Sequence, residues 1–146
     1  MTNDPFALLE TQHRDTEALL IRAVSTGEEA DVREACESLT HYAEVEEQVL
    51  YPELRRIVDG GDDLADRAEA DHAAVRTLIA RCYDAPPADL TPLVEEIREL
   101  VRAHVEFEER EILPELRSAP IDAAALAQRL RTADGVAPSR SRGRVG

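Results

Sequence analysis

Two stretches of the sequence are close copies of each other, THYAEVEEQVLYPELR at 40–55 and RAHVEFEEREILPELR at 102–117. Their EE pairs and PEL triplets align without a gap. The match fails at one informative position, because Tyr42 stands where the second copy has His104. The histidine of the first copy, His41, comes one residue too early. The meaning of that shift decides which residues of the first copy face the protein core.

The rest of the chain favours helix almost everywhere, because Ala, Leu, Glu and Arg dominate and aromatic residues are few. Apolar periodicity and Gly or Pro breaks predict four long helices at about 4–24, 31–58, 63–83 and 91–118, and a short fifth at about 121–131. Short turns between long helices are typical of an all-α, up-down-up-down four-helix bundle. Pro52 and Pro114, late in the second and fourth helices, predict matching distortions there.

The length of 146 residues predicts one domain. We assign 1–132 to the bundle. We expect 133–146 to be a flexible, disordered tail, because GVAPSRSRGRVG has no apolar period.

The charge and the termini narrow the class of protein. A net charge of −14 argues against nucleic acid and anionic membrane as partners, which bind clustered Lys and Arg. The first thirty residues lack a signal-peptide pattern, and no run of eighteen apolar residues occurs. We therefore expect a cytoplasmic protein. Cys36 and Cys82 lie in helical patterns without CxxC spacing, which predicts two unpaired, packed thiols.

The four histidines lie on four different predicted helices, and three of them, His13, His72 and His104, fall on apolar stripes. Glu108 follows His104 by four residues and shares its face, and Glu46 is the counterpart on the second helix. Buried carboxylates need a positive partner, yet the chain has no lysine. Imidazoles and bridging carboxylates on facing helices hold pairs of iron or manganese ions. The pattern therefore predicts a metal site.

These motifs resemble the hemerythrin-type HHE cation-binding domain: a histidine on helix one, EEQVLYP on helix two, a histidine on helix three and HVEFE on helix four. The resemblance covers about 6–116. It implies a four-helix bundle with an oxo- or hydroxo-bridged pair of iron ions that handles dioxygen, nitric oxide or hydrogen peroxide. By position, it implies three terminal ligands and two bridging carboxylates, namely His13, His72 and His104, and Glu46 and Glu108.

The chain departs from that family pattern at two places. Arg76 stands where oxygen-carrying hemerythrins have a second histidine on helix three, and Tyr42 stands where helix two should have one. A π-bulge between His41 and Glu46 would turn His41 inward. Alternatively, Tyr42 points inward and binds ferric iron as a phenolate, or it only packs and the site lacks one ligand. Tyr51 could also reach a bent site, although packing is its expected role.

The expected donors fill about ten of the twelve coordination positions of two six-coordinate ions. About two positions stay open for a small molecule, which favours catalytic turnover over simple oxygen binding. We therefore predict a di-iron protein for small oxidants, with catalase-like peroxide decomposition as the expected reaction type. Glu17 and Arg76 are expected just outside the ligands, where they would orient them or aid proton transfer. One alternative is reversible oxygen binding or iron storage without turnover. A second is a ferritin-like oxidase or manganese site, since Glu69 and His72 have ExxH spacing. A third is a metal-free helical interaction module.

Overall fold

The computed structural model describes residues 3–135, and every regular element within them is helical. Helix α1 is Pro5–Thr26, α3 is Gly61–Asp84 and α5 is Ala123–Gly135. Helix α2 (29–57) has three parts, Glu29–Val45, the π-helix Glu46–Leu50 and Tyr51–Ile57. Helix α4 (90–118) follows a 3-10 turn, Pro87–Asp89, and consists of Leu90–Phe107, the π-helix Glu108–Ile112 and Leu113–Ser118. The predicted all-α bundle with a short fifth helix is confirmed.

Local signals in the sequence set the helix ends. Asp4 Oδ1 accepts hydrogen bonds from the backbone N–H groups of Phe6 and Ala7 at 2.9 and 3.3 Å, which caps the start of α1. Gly27, with φ of 64°, ends α1, and Gly60, with φ of 77°, lies between α2 and α3. Glycine adopts these left-handed conformations without a steric penalty, so short turns can reverse the chain.

The four long helices pack as a bundle in which α1 and α3 each contact both α2 and α4. Helix α5 lies against α1 and α2, where Asp134 Oδ1 is 2.7 Å from His41 Nε2. Helix α5 continues to Gly135, past the predicted end of the bundle at 132. The rest of the predicted tail, 136–146, lies outside the described residues.

The buried side chains form two apolar clusters, one toward each end of the bundle. The first is built around Leu9, Leu50, Leu54, Ala68, Leu116 and Leu126. The second is built around Leu20, Ala35, Val75, Ile79, Val94 and Ile97. Between them lies a layer of buried or nearly buried polar residues, His13, Glu46, His72, His104 and Glu108. The bundle therefore positions the predicted ligands at mid-height, between two apolar halves.

The two cysteines belong to the second apolar cluster and are both buried and free, as predicted. Burial and the neighbouring Cys82 raise the pKa of the Cys36 thiol to about 12. Within 3–135, no helix combines the length and the apolar character that a bilayer crossing requires.

Candidate metal centre

Each copy of the repeat contains one π-helical turn, at Glu46–Leu50 and at Glu108–Ile112. Pro52 and Pro114 follow two residues after these turns. Proline has no N–H to donate, and its ring collides with the carbonyl four residues earlier, so a regular α-helix cannot continue through it. The wider π-turn accommodates the ring. The distortion predicted near each proline therefore takes the form of a π-turn.

Of the alternatives that the sequence leaves open for helix two, the structure contradicts the π-bulge between His41 and Glu46, because α2 is regular through Val45 and the π-turn begins at Glu46. His41 consequently stays off the central face of α2, with its Nε2 held 2.7 Å from Asp134. The extra residue instead rotates the last part of α2, from Tyr51 onward. Tyr51 closes the π-turn by donating its backbone N–H to the carbonyl of Glu46.

Tyr51 is brought to the centre of the bundle by this rotation. On a regular α-helix, a residue five positions after Glu46 would point about 140° away, and one inserted residue removes about 100° of that difference. The Tyr51 hydroxyl is 3.0 Å from Glu46 Oε1 and 3.2 Å from His72 Nε2, and it donates a hydrogen bond to Glu108. The sequence pattern predicts only packing for Tyr51, whereas its hydroxyl lies among the polar residues of the centre. The signal that could have found it is the five-residue spacing from the glutamate, directly before a proline.

The structure brings five of the seven predicted ligands together: His13, Glu46, His72, His104 and Glu108. The other two lie elsewhere. His41 contacts α5, and Tyr42 is half-buried on the wall of a cavity, with its ring 5.1 Å from the ring of His41. The buried oxygen donor that α2 adds to the cluster besides Glu46 is therefore Tyr51.

The two glutamates each present their two oxygens to different histidines. Glu108 Oε1 is 3.0 Å from His13 Nε2, and its Oε2 is 3.2 Å from His104 Nε2. Glu46 Oε2 is 3.6 Å from His13 Nε2, and its Oε1 is 3.1 Å from His72 Nε2. The paired carboxylates thus lie between one group of donors around His13 and another around His72 and His104.

The second of these groups has the tighter geometry. Glu46, His72, His104 and Glu108 each offer one ligand atom, and those four atoms lie within 4.8 Å of one another. All four residues are buried. Imidazole nitrogen and carboxylate oxygen are donors that iron, manganese and zinc accept. This buried cluster can therefore hold a metal cation.

Each of the three histidines also donates a hydrogen bond from its outer nitrogen, Nδ1, to a carboxylate. The pairs are His13 with Glu109 at 2.7 Å, His72 with Glu47 at 2.7 Å, and His104 with Asp71 at 3.0 Å. Such bonds fix the orientation of a ligating imidazole and increase its basicity. They explain why all three Nε2 atoms face the centre.

The repeated EE pairs now have a structural meaning. The first glutamate of each pair, Glu46 or Glu108, points to the centre. The second, Glu47 or Glu109, holds the outer nitrogen of a histidine on another helix. Sequence reasoning missed the second role, because an exposed glutamate on a helix looks like ordinary solvated surface.

Of the two predicted outer residues, one lies beside the ligands. Arg76 donates from Nη1 and Nη2 to the two oxygens of Glu47, both at 2.9 Å, and thereby holds the partner of His72. Glu17 instead forms an ion pair with Arg98 at 2.9 Å. Arg76 therefore supports the histidine on α3 at the position where a second histidine was expected.

The electrostatics of the centre favour positive charge. Burial alone would lower the pKa of His13 and of His104, but their hydrogen bonds to Glu108 and Glu46 outweigh it and raise both pKa values to about 11. Although burial would raise the pKa of Glu46, its bonds to histidine lower that pKa well below the usual value. Burial and the two carboxylates raise the pKa of Tyr51. A metal cation would enter by displacing protons.

A cavity of about 60 Å³ borders the centre. It is large enough for a few water-sized molecules. It reaches His13, Glu46, His72 and His104. Its remaining wall is apolar for the most part and includes Leu39, Ala43, Val75, Ile79, Val101 and Val105, with Gln12, Thr16, Thr40, Tyr42 and Arg76 as its other polar residues. Small uncharged molecules could therefore be held beside the histidines.

Comparison with known proteins agrees with this geometry. The family model of the hemerythrin HHE cation-binding domain matches residues 4–116, the part of the chain that contains α1 to α4 up to Leu116. No curated protein and no solved structure gave a significant match to the chain. The family match covers well over half of the sequence and includes every residue of the buried histidine and glutamate cluster. The chain belongs to the hemerythrin HHE cation-binding domain family.

Proposed function

We propose that this protein binds two iron ions in the bundle and uses them to handle small oxidants, with hydrogen peroxide as the main substrate. The observation that supports two ions is the arrangement of Glu46 and Glu108. Each directs one oxygen toward His13 and the other toward His72 or His104. Carboxylates that bridge two ions in helical bundles have the same relationship to their neighbouring ligands.

The donors divide into two unequal sets. His13 and one oxygen from each glutamate would hold one ion. His72, His104, Tyr51 and the other two oxygens would hold the second. Bound iron would supply one-electron redox chemistry and open coordination positions for a small oxygen- or nitrogen-containing molecule. The set around His13 has fewer protein donors, so the open positions would lie on its side.

The cavity supports access to that side. It borders His13 as well as His72 and His104 and is lined mainly by aliphatic side chains, so it admits small uncharged molecules such as hydrogen peroxide, dioxygen and nitric oxide. The charged carboxylates on the protein surface would repel larger anions. Size and charge together would restrict the substrate class.

The proposed reaction converts two molecules of hydrogen peroxide into two molecules of water and one of dioxygen. One peroxide loses two electrons and two protons, and the other gains them, so a group that stores protons between the two halves is useful. Glu47, Glu109 and Asp71, which hold the outer nitrogens of the three histidines, are placed for this role. These partly exposed carboxylates could exchange protons with water.

The experiment is to load the purified protein with iron, remove free iron and add hydrogen peroxide in an oxygen electrode. We expect evolution of one dioxygen for every two peroxides over many cycles. Replacing His104 with Ala should abolish the activity, whereas His41→Ala should retain it. Reversible oxygen binding with peroxide left unchanged would instead support the alternative of an oxygen-binding protein without turnover.

A further inference from the structure

A second, smaller pocket of about 30 Å³ lies where α2 begins and α3 ends, and it shares no residue with the metal centre. Both cysteines of the chain line it, Cys36 from α2 and Cys82 from α3. The rest of its lining consists of Glu29, Val32, Arg33, Tyr83 and Leu90. The pocket has room for a molecule about as small as water or hydrogen peroxide beside the two thiols.

The two thiols interact with each other across the contact between α2 and α3. The Cys36 thiol donates a hydrogen bond to the Cys82 sulfur. Disulfide formation requires two cysteine side chains that face each other at short range. The sequence has no third cysteine, so each thiol has one possible disulfide partner within the chain. Cys36 and Cys82 are therefore a matched pair for reversible oxidation.

The surroundings of the pair determine which sulfur reacts first. Burial, and then the neighbouring Cys82, raises the pKa of the Cys36 thiol to about 12. Burial also raises the pKa of Cys82, although the hydrogen bond from Cys36 and the charge of Arg81 oppose that increase. Cys82 is 7% exposed and Cys36 is 2% exposed. Since the thiolate is the nucleophile, Cys82 is the attacking sulfur and the pair reacts only with ample oxidant.

The outer wall of the pocket contains a weak contact. The guanidinium carbon of Arg33 lies 5.5 Å from the centre of the Tyr83 ring, and Tyr83 is 50% exposed. Cation–π contacts at exposed sites contribute little stability. The Arg33 and Tyr83 side chains can therefore separate and admit a small molecule to the thiols.

We propose that excess hydrogen peroxide enters this pocket and converts Cys36 and Cys82 into a reversible disulfide. The Cys82 thiolate attacks one peroxide oxygen and breaks the O–O bond, which forms a sulfenic acid, and the departing hydroxide takes up the Cys82 proton as water. The Cys36 sulfur then displaces the sulfenic hydroxyl group, which leaves with the Cys36 proton as a second water. Peroxide gains two electrons and each sulfur loses one. The reaction uses no metal and so does not depend on the proposed function.

The first test is thiol counting in the full-length protein. The protein is reduced, treated with a chelator to exclude iron chemistry, shown to be folded by its melting curve, and exposed to excess hydrogen peroxide. We expect both thiols to be lost together, with a mass lower by two hydrogen atoms, and to return on treatment with dithiothreitol. Two free thiols, added oxygen without a cross-link, or a disulfide between two chains would overturn the proposal.

The second test separates the roles of the two sulfur atoms. In Cys36→Ala, the remaining Cys82 should form a sulfenic acid that dimedone traps, whereas Cys36 in Cys82→Ala should stay unlabelled over the same time. Equal or stronger labelling of Cys36 would overturn the order of attack.

The third test concerns entry through the pocket. Tyr83→Ala should speed disulfide formation by opening the outer wall, and Leu100→Ala, which removes an exposed side chain on α4, is the matched control and should keep the wild-type rate. The same rate in the wild type and both variants would overturn entry past Tyr83.

Discussion

Tyr51 and Leu113 occupy equivalent positions in the two copies of the repeat, each directly after a π-turn, directly before a proline and fully or almost fully buried. Only Tyr51 carries a hydroxyl group, 3.0 Å from Glu46 Oε1. The first copy has Tyr42 where the second has His104. In the first copy, the Tyr51 oxygen, which follows Glu46, thus takes the place of a histidine at position 42, which would precede Glu46.

The first prediction concerns Tyr51 as a ligand in place of the missing histidine. If Tyr51 binds ferric iron, its phenolate should produce a visible charge-transfer band, because the metal lowers the phenol pKa that burial otherwise raises. Tyr51→Phe should remove the band and weaken iron binding. Tyr42→Phe is the matched control and should keep the spectrum, measured by absorption of the iron-loaded protein. A band that survives in Tyr51→Phe and disappears in Tyr42→Phe would assign the ligand to Tyr42 instead.

The second prediction concerns metal content. The wild-type protein should bind about two irons per chain, in line with other bundles that have two bridging carboxylates. His104→Ala should lose most of this iron, because it removes a buried donor that lies 3.2 Å from both His72 and Glu108. His41→Ala should keep the iron and lose about 1 kcal/mol of stability or less, the range for a partly exposed ion pair.

Elemental analysis and thermal melts of both variants check this prediction. The melts establish that each variant is folded before its iron is counted. Equal iron content in His104→Ala and the wild type would contradict the assignment of the centre.

The third prediction is a pH dependence of the metal-free protein. The pKa values of His13 and His104 are raised from 6.5 to about 11 in the folded state, so the stabilisation from their protons is fully present below pH 6.5. It is lost as the pH rises through 11. The melting temperature of chelated protein should therefore fall across this window, and the fall should be smaller in His104→Gln.

The same pKa shifts predict that metal binding releases protons. Histidine must be neutral to bind a metal, so the apparent metal affinity should increase with pH. Proton release in weakly buffered solution on addition of a divalent cation measures this directly. Metal binding without proton release would contradict the assignment of protonated His13 and His104 to the metal-free state.

The fourth prediction tests the outer carboxylates. Glu47→Gln and Glu109→Gln each remove the charge that orients a histidine, and such changes cost about 10- to 100-fold in metal affinity. Glu106→Gln is a matched control, because the Glu106 carboxylate forms an ion pair with Arg110 on the exposed surface of α4. Competition with a chelator of known affinity gives the values. If all three variants bind equally well, the outer carboxylates have no role in holding the metal.

Much of this arrangement could be predicted, because helical periodicity reports which residues share a face. The stripe containing His104 and Glu108 indicated both their burial and their chemistry, and the structure brings them together. Helix ends could be placed from Asp4, Gly27 and similar residues with a known local conformation. These features depend on neighbours a few positions away in the sequence.

The features that escaped prediction are the position of the π-turn and several contacts between helices. The π-turn could be placed before or after Glu46 from the sequence, and its position decides whether His41 or Tyr51 turns inward. The roles of Glu47 and Asp71 are set by distances to histidines on other helices. In the sequence these carboxylates are indistinguishable from the many others of a chain with thirty-one acidic residues.

The layer of polar residues between the two apolar clusters also fixes the axial alignment of the helices. If α3 slid by one turn, about 5.4 Å, His72 would enter an apolar layer and the carboxyl group of Glu46 would lose one of its partners. A buried histidine without a polar partner costs more than an apolar mismatch. The layer therefore restricts the helices to one axial register and excludes shifted packings that two purely aliphatic halves would tolerate.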